Sequence, residues 1–294
     1  MNGWKRLFLP IYYYGAWPMR IGYGRYLARR GRCPIAVVLF HRVADDRATE
    51  WTCPTEVFCR QIQWLRRHFE LISLAEVQRR LRCKQSYRPA VHITFDDGYA
   101  DNARFALPWL LEQKIPVTYF VSVQQAATGQ PFFHDLAAGY SFAPHRPAEL
   151  RQLADAGLEI GCHSYSHLNL GPVKDPALLE KEIRQARQAL EAIVDRPVRY
   201  FAFPFGQLEN LSLMAFQWVD WAGYEAACSA YGVYNLPGRE SFHIRRIPAD
   251  SCLLRLKNHV LFDPRRFFDP LADWMVRPLA QPEAPEEAPE LVRG

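Results

Sequence analysis

No stretch of the 294-residue sequence runs to 18 consecutive apolar residues, so a helix that crosses a bilayer is not expected. The seven cysteines are odd in number and include no CxxC pair. That pattern argues against a Cys-rich zinc site and against a complete disulfide framework, and it fits a reducing, cytoplasmic setting. No internal repeat is present, which removes solenoids and propellers. The net charge of +5 is modest, and no long basic block or nucleic-acid motif goes with it, so nucleic acid is not an expected partner. The short apolar run from Leu7 to Trp17 is broken by Pro10 and lacks a small-residue cleavage site, unlike a secretory leader.

An apolar fraction of 49% with 23% charged residues suits a chain that fills a sizeable core, and the length suits one large α/β domain. Residues 1–34 stand apart. There Lys5, Arg6, Arg20, Arg25, Arg29, Arg30 and Arg32 accompany Trp4, Leu7, Phe8 and a run of tyrosines. Basic residues mixed with aromatics fit a segment lying on an anionic membrane surface, at the inner face if the chain is cytoplasmic. They fit equally a basic helix that covers the main domain. Residues 278–294 are rich in Pro, Glu and Ala with little to bury, and are expected to be disordered. The main domain is expected over 35–277.

Within it, apolar and β-branched runs alternate with helical patterns. IAVVLF (Ile35–Phe40), AVHITF, PVTYFVS, LEIGC, VRYFAF and EAACSA read as strands. Between them, Val57, Phe58, Ile62, Leu65 and Phe69 recur at helical spacing after Thr55, a candidate cap. Ser73 and Glu76 form a capping box. The strongest helix starts at Asp175–Pro176, with Leu178, Leu179, Ile183, Ala186, Leu190 and Ile193 as its stripe. Strands alternating with helices predict a parallel sheet, and at this length a barrel or distorted (β/α) barrel closes it economically.

Polar residues fall just past the strands: His41, the pair Asp96 and Asp97, His163 with His167, and Phe205 with Gly206. In parallel α/β folds those strand ends converge on the face where chemistry is done. Asp-Asp-Gly by itself is also ordinary turn chemistry, since Asp bonds nearby N–H groups and Gly accepts positive φ. HSYSH can be two polar residues in an exposed helix start, or can direct two imidazoles toward one ion from a helical turn or compact loop. With a carboxylate from another strand end they make a two-His, one-Asp set suited to zinc or a similar divalent cation. A cation also explains two adjacent aspartates: one binds it, and the other, held ionised nearby, takes a proton from water.

TFDDGY, then HSYSH, then FAFPFG together resemble the successive motifs of the polysaccharide deacetylase family, the NodB-type carbohydrate esterases, over roughly Ile35 to Pro248. The resemblance implies a distorted (β/α) barrel that removes N-acetyl groups from amino sugars of a glycan, with a divalent metal, Zn2+ first and Co2+ as an alternative. It makes Asp96 the general base, and Asp97, His163 and His167 the metal ligands. Phe205 supplies a backbone N–H to the oxyanion. LFHRV is similar to a permuted branch in which a histidine of the first strand replaces a C-terminal one, which makes His41 the general acid. His243 and His259 lie near the usual C-terminal region and keep that assignment open. The family's third motif commonly opens with an arginine that steadies the base aspartate, and Ala202 stands there instead. Arg246, which matches an arginine of similar members, and Arg245 are candidate substitutes; a surface ion pair is the other reading of both.

Three further expectations concern polar and aromatic residues elsewhere, the first of them implied by the resemblance. His134 and Asp135 fall in a loop beside the expected groove or in a simple loop, His92 points into packing, and Trp17, Trp64 and Trp218 belong to the core. Two other functions remain open at this point: hydrolysis of a different non-peptide C–N bond, such as a cyclic amide, and sugar binding without turnover.

Overall fold

Six-residue runs such as Ile35–Phe40 and Ala90–Phe95 are apolar on both faces because both faces are covered, and every residue of the two strands is buried. The computed structural model describes residues 3–249 and 251–271; the tail expected from Pro278 lies outside them. The strands of the main sheet are β1 (Ile35–Phe40), β2 (Glu70–Leu71), β3 (Ala90–Phe95), β4 (Val117–Val121), β5 (Glu159–Cys162), β6 (Tyr200–Ala202), β7 (Ala226–Ser229), β8 (His243–Arg245) and β9 (Ile247–Pro248). They pair in parallel in the order β8-β7-β6-β5-β4-β3-β1-β9, with β2 on the start of β3.

The first and last strands of that order, β8 and β9, are consecutive in sequence and separated only by Arg246. One extended run therefore pairs with β7 on one side and β1 on the other, and nearly closes the sheet into the expected (β/α) barrel. Alternate residues face inward: Ile35, Val37, Ala90, Phe120, Tyr200, Ala202, Ala226, Cys228 and Ile244 form one cluster. Ala36, Val38, Phe40, Val91, Ile93 and Phe95 belong to the larger cluster with the surrounding helices.

Two helix starts differ from expectation. Pro54, not Thr55, precedes the helix Thr55–His68, and the Thr55 N–H donates to Asp45 Oδ1 at 2.8 Å. Ser73 does accept from the Glu76 N–H at 3.2 Å, but the Glu76 carboxylate turns to Arg79 and Arg80. Asp175 caps its helix as expected, through Ala177 N–H at 3.0 Å. That helix then widens into one π turn, Glu180–Gln185, which brings Glu182 to the buried side in addition to Ile183.

His92 points into the barrel, where Nδ1 meets the Ile72 carbonyl at 2.8 Å and Nε2 the Thr118 hydroxyl at 3.0 Å. Burial pushes its pKa down to about 4 from 6.5. The unfolded chain therefore binds a proton on acidification that the folded chain refuses, so stability falls as pH drops from 6.5 toward 4. At ~1.4 kcal/mol per pH unit the whole window amounts to about 3 kcal/mol. Denaturant titrations at a series of pH values check this: His92→Gln is expected to flatten the slope in that window.

Candidate active site

Strand register brings the polar residues together. Phe40 pairs with Phe95, so His41 and Asp96 leave neighbouring strands side by side. Val121 pairs with Cys162, and Cys162 with Phe201, so His163 emerges between Ser122 and Ala202. Asp96 follows the parity of His92 and Thr94 and faces the barrel interior. A β-strand would send the next side chain to the opposite face, but Asp97 adopts φ +72° and Gly98 φ +84°. This left-handed turn carries the second carboxylate to the same mouth as the first, and turns two adjacent aspartates into neighbours in one pocket.

Asp97 Oδ1 lies 3.5 Å from His163 Nε2 and 3.2 Å from His167 Nε2. One donor atom from each of the three residues falls within 4.8 Å of the others. Burial works against ionisation of Asp97, but the two imidazoles outweigh it and hold the carboxyl well below the usual range. Oδ1 is nonetheless buried with no hydrogen-bond partner. His163 gives its Nδ1 hydrogen to the Ala202 carbonyl at 2.8 Å, which fixes the tautomer and leaves Nε2 free toward Asp97. An orphaned carboxylate oxygen and an imidazole held with its lone pair inward are what a two-His, one-carboxylate cation site requires. The residues present fit the group.

The His163–His167 segment is a loop, not a helical turn. Ser164 at φ +64° and His167 at φ +61° bend it, and Ser164 Oγ accepts from the His167 N–H at 2.9 Å. Glu182 on the π turn anchors its middle, accepting from the Ser166 N–H at 2.9 Å and the Ser166 hydroxyl at 2.6 Å. Phe205 is also left-handed, at φ +62°; for a bulky residue this is a strained state, of order 1–3 kcal/mol. Its ring packs 4.9 Å from that of His167, and its N–H makes no hydrogen bond to the rest of the described chain.

Arg246 grips Asp96 with both ends of its guanidinium, Nη1 to Oδ1 at 2.5 Å and Nη2 to Oδ2 at 2.8 Å. Its Nε also donates to the Ser229 carbonyl at 3.0 Å. Neither arginine forms a surface ion pair. Arg246 is fully buried, and Arg245 turns the other way to Glu240 and to Asp269, 2.8 Å from its Nε. Ala202 contributes its carbonyl to His163.

Asp96, Asp97, His163, His167 and Phe205 line a cavity of about 390 Å³, together with Leu39, Gln207, Ala230 and Pro248. His41 is on its wall; His243 is not, being bound to the Ser229 hydroxyl at 2.8 Å, nor is His259. His134 is on the wall, 3.1 Å from the Tyr99 hydroxyl, while Asp135 lies buried behind it and accepts from Tyr99 at 3.0 Å. Trp51 was not singled out by its sequence, yet it lines the cavity edge-on to His134, and its indole N–H is buried without a partner. The signal available was a lone aromatic in the polar connection after β1. Of the three tryptophans expected in the core, Trp218 is buried in it and Trp64 is partly buried against the core cluster, but Trp17 is 47% exposed.

Comparison with known proteins bears on this arrangement. A family model described as polysaccharide deacetylase matches residues 84–221, a span that includes Asp96, Asp97, His163, His167 and Phe205. Over that span the chain is similar to the polysaccharide deacetylase family. A relative named as a polysaccharide deacetylase, YxkH of Bacillus subtilis (strain 168), is 22% identical over 213 residues, covering 70% of this chain; the match spans 66% of the length of YxkH. Among solved structures, IcaB from Ammonifex degensii superposes with a TM-score of 0.62 at 21% identity, covering 74% of this chain and 92% of IcaB. The Streptococcus pyogenes deacetylase PplD, solved in complex with acetate, gives 0.63 at 16% identity over 77% of this chain and 98% of PplD. Identities this low carry the fold, and the deacetylase barrel is the fold observed.

Proposed function

We propose that this protein hydrolyses N-acetyl groups of amino sugars in a glycan, with a divalent cation, Zn2+ or Co2+, held by Asp97, His163 and His167. The observation that carries the reading is the mouth of the barrel itself: an orphaned buried carboxylate and two histidines, beside a second aspartate clamped by an arginine. A bound cation there would supply Lewis acidity, polarising the acetyl carbonyl and making water easier to ionise. The roles of the chain's own residues follow from position. Asp96, held in one orientation by Arg246, receives the proton of the attacking water. The Phe205 N–H, without another acceptor, donates to the oxyanion as it forms, a contribution typically worth ~3 kcal/mol per donor. His41, on the cavity wall beside Asp96, gives a proton to the departing amine, without which C–N cleavage is slow. Acetate leaves and a free amino sugar remains. The His134 and Trp51 wall meets the sugar.

The experiment is acetate release from a panel of N-acetylated glycans beside cyclic amides, before and after chelation and with zinc or cobalt restored. Release from acetylated sugars that disappears on chelation and returns with metal supports the assignment. Turnover of cyclic amides alone would move the protein to another C–N hydrolase class, and sugar binding with no release under any metal would make it a silent relative.

A further inference from the structure

Away from the barrel mouth, the buried guanidinium of Arg20 has no hydrogen-bond partner among the described residues. Arg20 lies on the long N-terminal helix α1 (Gly3–Arg29), on the side that also buries Tyr13, Gly24 and Leu27. Gly24 lets this face approach closely, because a Cβ there would sit 2.7 Å from the Phe262 ring. Arg20 is only 2% exposed, and none of its three guanidinium nitrogens has a hydrogen-bond partner. The Tyr12 ring lies 4.8 Å away, and Arg265 also covers it at 5.7 Å. Asp263, the acid of that corner, is taken by Arg265 at 3.0 and 2.7 Å. A guanidinium does not shed its proton, so a buried unpaired one is costly and calls for an anion.

The space in front of Arg20 indicates which kind. It borders a cavity of about 330 Å³ whose other walls are Met19, Tyr23, Phe262, Pro264 and Phe267, all apolar or aromatic. One cation among such walls suits an anionic head attached to a hydrocarbon. The exposed part of α1 suits the same medium: Ile11, Tyr14, Trp17 and Tyr26 are exposed, and so is Tyr23, which also walls this cavity, an excess over ordinary surfaces. Arg25, Arg29, Arg30 and Arg32 are exposed as well, and no Asp or Glu occurs before Asp45. Among the described residues no helix is long and apolar enough to cross a membrane, so α1 would lie on the surface. One side of α1 covers the domain and the other is left uncovered.

We infer that α1 docks on a bilayer containing anionic phospholipid, with the phosphate of one lipid received by Arg20. The test is co-sedimentation of the full chain with vesicles of phosphatidylcholine alone or mixed with phosphatidylglycerol. Binding is expected only to the mixed vesicles and is expected to fall with added salt. Arg20→Gln should lower it about fivefold, the usual weight of one basic residue at such a surface. The exposed pair Tyr14→Ser with Trp17→Ser, which removes nothing from the core, should lower it too; near-UV circular dichroism establishes that each variant is folded. Equal sedimentation with both vesicle types, or binding indifferent to both variants, overturns the inference. So does a thermal shift by inorganic phosphate that depends on Arg20 while vesicles leave the protein in solution, or a dimer that buries Trp17 and ignores lipid.

Discussion

Replacing Asp97 by Ala is expected to abolish cation retention and acetate release together, because the variant loses the only carboxylate in the proposed ligand set. Asp96→Asn is expected to act differently. The amide keeps the shape of the side chain and leaves Asp97, His163 and His167 in place, so the cation stays while turnover falls by about 10²–10⁴, the usual weight of a general base. His41→Gln should resemble Asp96→Asn, with the cation retained and a loss of the same order. Metal analysis of the purified variants beside acetate release separates the three. An Asp96→Asn protein with parental turnover would remove the base from the proposal, and an Asp97→Ala protein that still holds stoichiometric zinc would remove the ligand.

The second large effect is expected at Arg246. Asp96 and Arg246 are both buried and meet through two hydrogen bonds, 2.5 and 2.8 Å. Arg246→Ala leaves a carboxylate in the barrel interior without its counter-ion, a defect that costs ~3–5 kcal/mol. Denaturant unfolding should show that loss, and whatever folds should have lost the fixed orientation of Asp96 and with it most turnover. Arg245→Ala is the informative companion. Its partners, Glu240 and Asp269, lie outside the cavity, so it should destabilise the chain without selectively lowering turnover per folded molecule. Comparable stability of Arg246→Ala and the parent would show that the clamp contributes little.

The reading of sequence and of structure part company at identifiable residues. Strand runs such as IAVVLF and AVHITF were legible because burial on both faces demands continuous apolar stretches, and the period of their neighbours marked helices. Thr55 as a cap and Trp17 as core failed because each depended on tertiary neighbours, Asp45 in one case and an uncovered helix face in the other. Glu182 was invisible because a π turn shifts the helical stripe by one residue, and nothing in a 3.6-residue period announces it.

The sequence by itself determined the alternation of strands and helices, and the run of polar residues at the strand ends, since both follow from local hydrophobic pattern. Only the tertiary structure decided that Asp97 turns back beside Asp96, that Arg246 takes up Asp96, and that Trp51 and His134 form a wall. The reason is distance along the chain. Arg246 and Asp96 are 150 residues apart and meet because the barrel closes on the single run from β8 to β9. Strand register and a left-handed φ are set by long-range packing that no local pattern encodes.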